Sequence, residues 1–184
     1  MIDSYDVSLI GHSSEENLLL AQRILSEKNP NDMSKSGGWF TNLPRENYRY
    51  VPYNGGVGVD QIEWLRRVVE QSAELEEKII CFSHQPVYAP NKPQSLIWNA
   101  EEILNVLHNY KNTKLWLAGH DHDGQYSIDS QGIHHMVPPA PLECLYGEKA
   151  FGVMEVYGHR IALQWTGKRP TKPLAPWPSE IILS

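Results

Sequence analysis

Three histidines in two short segments carry the densest chemistry in this chain. One segment is Phe82-Ser83-His84-Gln85-Pro86, and the other is Ala118-Gly119-His120-Asp121-His122-Asp123-Gly124. A neutral imidazole is a good ligand for first-row transition ions such as manganese, iron and zinc. Each segment follows a short apolar run, Ile79-Ile80-Cys81-Phe82 in one case and Leu115-Trp116-Leu117-Ala118 in the other. Ligands of open α/β sheets bind beyond the carboxyl ends of the strands, so both clusters are expected on one rim. Gly119 is expected to make a tight turn that aims His120 and His122 at neighbouring points, and Pro86 to stiffen the exit after His84. Two metals held ~3.5–4 Å apart clamp a phosphoryl group and activate a water between them. A lone strand-end histidine is more often a structural hydrogen-bonding group. It is the joint pattern, strand-Gly-His-x-His-x-Gly with a second strand-Ser-His-x-Pro, that points to metal.

Other residues carry weaker signals. His134 and His135 alternate faces in a predicted strand, so one is directed at the rim, in a core or supporting role. His12, His108 and His159 read as surface residues. The Asn54-Gly55-Gly56 turn has backbone amides that can approach a phosphate, although a plain loop is the simpler reading. Trp98, Tyr88, Tyr126 and Phe151 are candidates for stacking on a base, and spacing does not choose among them.

The elements that must position these residues follow from periodicity. Residues 2–10 read as a short strand, and Leu18 to Leu25 as a helical patch ended by Asn29-Pro30. Residues 29–58 are turn-rich and irregular. Asp60 is the expected N-cap of the next helix, with Glu63 as its capping-box partner, and Ile62, Leu65, Val69 and Ala73 form its apolar stripe. Asn99 is placed likewise before a helix that buries Ile103, Leu104 and Leu107, with Glu102 in the box position. Residues 60–118 thus read helix, strand, helix, strand, which implies parallel pairing. After Gly119 the predicted strands Gln125–Ile128, Ile133–Val137, Phe151–Tyr157 and Arg160–Trp165 alternate with short turns, as an antiparallel meander. Residues 1–168 form the expected α/β domain. Residues 169–184, with Pro170, Pro173, Pro176 and Pro178, form an extended, poorly packed tail.

Composition excludes several functions. The chain has 184 residues, 41% hydrophobic and 21% charged, as expected of one globular domain. Acidic residues outnumber basic ones, 22 to 16, for a formal charge of -6, which argues against nucleic-acid binding. No apolar run nears the ~18 residues of a membrane span. Met1 to Tyr5 lacks a basic leader region. Two cysteines, Cys81 and Cys144, make no disulfide framework, so a reducing, cytoplasmic setting is expected.

The two histidine segments resemble the last two signature motifs of the calcineurin-like metallophosphoesterases. A closer likeness runs through Asp3-Ser4-Tyr5-Asp6-Val7-Ser8-Leu9, Asn54-Gly55-Gly56, Gln61-Ile62-Glu63-Trp64-Leu65, Ser83 to Tyr88, Trp98-Asn99 and Ala118 to Gly124. These segments are similar to the manganese-dependent ADP-ribose/CDP-alcohol diphosphatases. The resemblance implies the C-terminal part of a two-layer β-sandwich flanked by helices. It implies hydrolysis of the diphosphate bond of ADP-ribose and CDP-alcohols, a small nucleotide-diphosphate substrate, and binuclear Mn2+, with iron or zinc also compatible with the imidazoles. His84 and His120 would bind one metal, and His122 the other. The family's earlier motifs, Asp-x-His or Asp-x-Gln, Gly-Asp-x-x-Asp and Gly-Asn-His, are not found upstream of these residues. Its general-acid histidine belongs to that part, so no catalytic residue is assigned here. Three neutral imidazoles cancel none of the four positive charges of two divalent ions, so anionic ligands must come from elsewhere, with the family's N-terminal half as an expected partner. The competing readings are a non-catalytic half-domain or subunit with at most one weakly held metal, and another phosphodiesterase of the same superfamily.

Overall fold

The computed structural model describes residues 1–170 and 173–183. Its order is β1 (Val7–Ser8), α1 (Glu15–Lys28), β2 (Gly55–Gly56), α2 (Val59–Glu74), β3 (Ile79–Phe82), α3 (Ala100–His108), β4 (Thr113–Leu117), β5 (Gln125–Ile128), β6 (His134–Val137), β7 (Ala150–Val156), β8 (Arg160–Gly167) and β9 (Glu180–Ile182). The strands form a short β1–β2 pair, a four-stranded sheet ordered β3-β4-β6-β5, and a three-stranded sheet ordered β7-β8-β9. As expected, β3 and β4 run parallel, with Cys81 opposite Trp116.

The meander is divided between sheets. β6 lies between β4 and β5, parallel to β4 and antiparallel to β5, while β7, β8 and β9 make the separate antiparallel sheet. The two sheets face each other across Leu115, Tyr126 and Met136 on one side and Ile161 and Ile181 on the other. Helices cover the opposite face of the first sheet. Ile62, Leu65 and Val69 of α2 and Ile103, Val106 and Leu107 of α3 bury against Cys81 and Trp116. Each such side chain contributes about 1.5–3 kcal/mol on leaving water. The result is the β-sandwich flanked by helices that the motifs imply.

Four local expectations change. The strand at residues 2–10 shrinks to Val7–Ser8, because the Asp3 carboxylate accepts the Tyr5 amide at 2.9 Å and turns the chain. Helix α1 is longer than its apolar patch because Ser14 caps it, accepting from the Asn17 amide at 3.1 Å. Helix α2 starts after Gly58 instead of Asp60. The Gly58 amide donates to Asp6 at 2.9 Å, and Asp60 sits inside the first turn, where its charge suits the helix dipole. Asn99 holds its N-cap position but turns its side chain to Val57, accepting that amide at 3.0 Å.

The tail is not wholly unpacked. β9 pairs with β8, and Ile181 and Leu183 are buried. Beyond Pro178 the backbone regains its donors, and the alternation of Ile181 and Leu183 puts both on the core face. Thr171, Lys172 and Ser184 of the expected tail lie outside the described residues.

The end of the first sheet farther from the histidine rim is tied by one carboxylate. Asp129, its side chain 2% exposed, accepts from His108 at 2.9 Å and His135 at 3.0 Å. Its other oxygen accepts the amides of Gln131 and Ile133, each at 2.9 Å. His108, expected on the surface, is therefore half-buried and engaged, and His135 is a core residue. Burial disfavours the charged carboxylate, but the hydrogen bonds from His135, His108 and the Ile133 amide outweigh it and hold Asp129 well below the usual carboxylate range. Burial also lowers the His135 and His134 pKa. All three shifts have one sign: the folded chain binds fewer protons than the unfolded chain. Stability should fall as pH drops below about 6.5, where unfolded histidines protonate, and fall again below about 4, where unfolded carboxylates do. Asp129→Asn should cost about 3 kcal/mol at pH 7 in urea titrations, because it removes a buried charged partner of two histidines. It should lessen the loss below about pH 4, to which Glu101 and Asp123 also contribute, while a fall between pH 5 and 7 persists.

Candidate metal centre

The parallel pairing of β3 and β4 brings the two histidine turns side by side. The Ser83 amide donates to the Leu117 carbonyl at 3.2 Å, and the Gly119 amide to the His84 carbonyl at 2.9 Å. The tight turn is made differently from the expectation. His120, and not Gly119, adopts the left-handed conformation, with φ of 67°. A non-glycine residue in this region is strained, and such strain collects at functional sites. The loop closes at Gly124, φ 74°, where a Cβ would come within 2.7 Å of the Pro139 nitrogen.

His84 and His120 meet. His84 Nε2 lies 3.2 Å from His120 Nδ1, and the ring centroids are 5.0 Å apart. The tautomer of His120 is fixed by Asn54. The Asn54 Nδ2 group donates to the carbonyls of Arg49 and Gln94, both at 2.8 Å, so its Oδ1 must be an acceptor. His120 Nε2 lies 2.7 Å from that oxygen and donates to it. The His120 Nδ1 lone pair is thereby turned toward His84. Burial and the neighbouring His84 and His122 push the His120 pKa down to about 4. Burial, and then His122, lower that of His84. Both rings are therefore neutral at physiological pH, the form that donates to a metal.

His122 projects from the same loop. Its Nδ1 lies 2.9 Å from a Glu143 oxygen, and the ring is exposed. His84, His120 and His122 line one open cleft of about 450 Å³ with Pro139, Phe151 and Trp165. Lys92 braces the loop between them. Its Nζ donates to Asp121 at 3.0 Å and to Asp123 at 2.7 Å. The carboxylates flanking His122 are thus held by a cation.

The donor set fits a transition ion only in part. Two neutral nitrogens 3.2 Å apart suit two adjacent positions of one ion, given Zn–N bonds of about 2.0–2.1 Å. Among the described residues, however, no group of three or more His, Cys, Asp or Glu is placed to hold a metal.

The residue that sequence reading overlooked is Asn54. The Asn-Gly-Gly motif drew attention to its glycine amides, but those serve the fold. Gly55 and Gly56 are buried in β2, and the Gly55 amide donates to the buried Gln85 at 3.2 Å. The side chain of the asparagine is what reaches the site. Of the base-stacking candidates, Trp98 and Tyr126 are buried in the core and Tyr88 packs on His135. Phe151, 53% exposed on the cleft, is the aromatic left free to meet a ligand.

A family model described as calcineurin-like phosphoesterase matches residues 11–124, which include all three histidines. The chain belongs to that family. Among its relatives in the family is the manganese-dependent ADP-ribose/CDP-alcohol diphosphatase of Arabidopsis thaliana, 37% identical over 171 residues, 91% of this chain and 54% of the relative. The protein of the same name from Xenopus tropicalis is 37% identical over 169 residues, 91% of this chain and 48% of the relative. Among solved structures, a dimetal phosphatase from Danio rerio superposes with a TM-score of 0.80 at 30% identity, over 98% of this chain and 55% of that one. The chain spans about half the length of the curated relatives it matches.

Two substitutions probe the centre. Asn54→Asp puts a carboxylate beside His120 Nε2 and should raise the His120 pKa by at least about one unit from its value near 4, read by NMR titration. Lys92→Met strips the nearly buried Asp121 of its cation. It should cost about 2 kcal/mol and speed amide exchange across residues 119–124.

Proposed function

We propose that this chain carries the histidine half of a metal-dependent phosphohydrolase that cleaves the diphosphate bond of ADP-ribose and CDP-alcohols. The observation that carries the reading is the meeting of His84 Nε2 and His120 Nδ1 at 3.2 Å, both neutral, on the carboxyl rim of two parallel strands. The names of the Arabidopsis and Xenopus relatives support the substrate class and manganese, and that of the Danio rerio structure supports a two-metal site. His84 and His120 would hold one ion and His122 would contribute to a second. Bound there, the metals would polarise the phosphoryl oxygens and supply a hydroxide nucleophile at neutral pH.

The residues of this chain prepare that chemistry. Asn54 holds His120 in the tautomer whose Nδ1 points into the cleft. Lys92 pins the carboxylates on either side of His122. Phe151 offers a face for the base of the substrate on the wall of the cleft. No side chain is assigned as general acid. Because no three-donor group exists among the described residues, the chain by itself is inactive in this reading. The same observation favours a second reading, a non-catalytic subunit that binds at most one metal weakly. Among the described residues no helix is long and apolar enough to cross a membrane. The free Cys81 and Cys144 support a reducing compartment such as the cytoplasm.

The test is release of AMP from ADP-ribose in the presence of Mn2+. Neither this chain nor the portion of the Arabidopsis relative outside the matched segment should release AMP alone. The two together should, and His120→Ala should cut the rate at least about 100-fold, while His134→Ala leaves it within about twofold. Absence of AMP from the pair, or equal effects of the two substitutions, overturns the assignment.

A further inference from the structure

A second cleft, of about 370 Å³, opens beside the loop that carries His120 and His122 and shares no lining residue with the histidine cleft. Gln125, the first residue of β5, lines it. The next residue, Tyr126, packs between the two sheets. Side chains alternate along a strand, so Gln125 turns the other way, alongside its partner Val137 in the helix-side core. Apolar residues ordinarily fill such a place. Gln125 is 7% exposed, and its enclosed Nε2 group donates to no acceptor among the described residues. Buried amide donors are nearly always paired. One left over at the wall of a cleft is therefore a recognition element for an acceptor that enters the cleft.

The charges around the cleft define that acceptor. Arg45 Nη2 donates to the Asn91 carbonyl at 3.2 Å, which sets the guanidinium against the turn that carries Lys92. The other donors of its planar fork have no partner among the described residues. Lys92 Nζ uses two donors on Asp121 and Asp123 and keeps a third. Lys168 lies near enough to act on Asp123 as well. Three cations thus stand against two carboxylates, in a chain whose formal charge is -6. Asp123 is 71% exposed, so water can solvate it when another anion claims Lys92, while the nearly buried Asp121 keeps its bond. Leu174 adds an apolar wall. Its amide donates to the Tyr126 carbonyl at 3.0 Å, which holds the tail across β5 at the cleft.

We propose that this cleft binds a phosphate group, free or as a phosphomonoester, through Arg45, Lys92 and Gln125. The three donors come from three separate segments of the chain and line one cleft. A phosphate presents acceptor oxygens in as many directions, whereas a carboxylate presents two oxygens in one plane. The guanidinium fork favours the same group. A phosphate ion fills only part of the volume, and Leu174 gives an organic substituent an apolar surface. The site needs no metal and does not depend on the diphosphatase reading. It meets the candidate metal centre only through Lys92, so occupancy alters the hold on Asp123 and reaches residues 119–124.

The experiment titrates the unmodified chain, with EDTA present, against inorganic phosphate and against AMP at constant ionic strength, read by heteronuclear NMR. The expected result is saturable movement of the Gln125 side-chain amide signals, with the backbone amides of Asp123 and Gln125 following the same curve. Arg45→Gln and Gln125→Met should each weaken binding at least about tenfold. His84→Ala, in the other cleft, should leave it within about twofold. If Gln125→Met unfolds, Arg45→Gln decides, because Arg45 is exposed. Tighter binding of AMP than of phosphate assigns the cleft to a phosphomonoester; equal or weaker binding assigns it to free phosphate. No saturable movement at the Gln125 side chain with either probe, or a loss of binding with His84→Ala in place of Arg45→Gln, overturns the proposal.

Discussion

The candidate site depends on one hydrogen bond, from His120 Nε2 to the buried amide oxygen of Asn54 at 2.7 Å. Asn54 has no freedom to reverse, since two backbone carbonyls hold its nitrogen. The imidazole therefore has a single tautomer and a single direction for its lone pair. Without that bond the ring could rotate or exchange its proton, and its lone pair would have no fixed direction. The strained backbone at His120 is compatible with the same constraint, because surrounding structure must overdetermine a left-handed histidine for it to persist.

Much of the fold serves that bond. β3 and β4 set the spacing of the two turns. Gln85, wholly buried, joins Asn54 and the Gly55 amide to the turn that carries His84. Trp116 donates to Ser83 Oγ at 2.9 Å and so fixes the residue before His84 from the core side. Lys92 restrains the far end of the His120 loop through two carboxylates. The candidate site is braced on its histidine side and open at the cleft, where Phe151 is exposed.

A second polar cluster has a different purpose. Asp129 ties the end of α3 to the turn between β5 and β6 through His108 and His135. It lies at the end of the sheet away from the rim, and its acceptors are fully used. Its histidines are structural, in contrast to His84 and His120, whose facing nitrogens are directed at each other and at the cleft. Residue type alone does not separate the two clusters. What separates them is whether a carboxylate already occupies the space between the rings.

The sequence by itself determined the parts with strong local signals. Apolar runs marked β3 and β4, and glycine and histidine spacing marked the rim. Those signals are local because strand burial and turn geometry are decided within a few residues. Tertiary structure decided the rest. Asn54 and His120 are 66 residues apart, so no spacing rule connects them. The same holds for the split of the meander into two sheets, for the seating of β9 from a proline-rich tail, and for the burial that withdrew Trp98 and Tyr126 from the cleft. Each is a choice between alternative partners of similar local merit, and such choices are settled only when the whole chain competes for the same core.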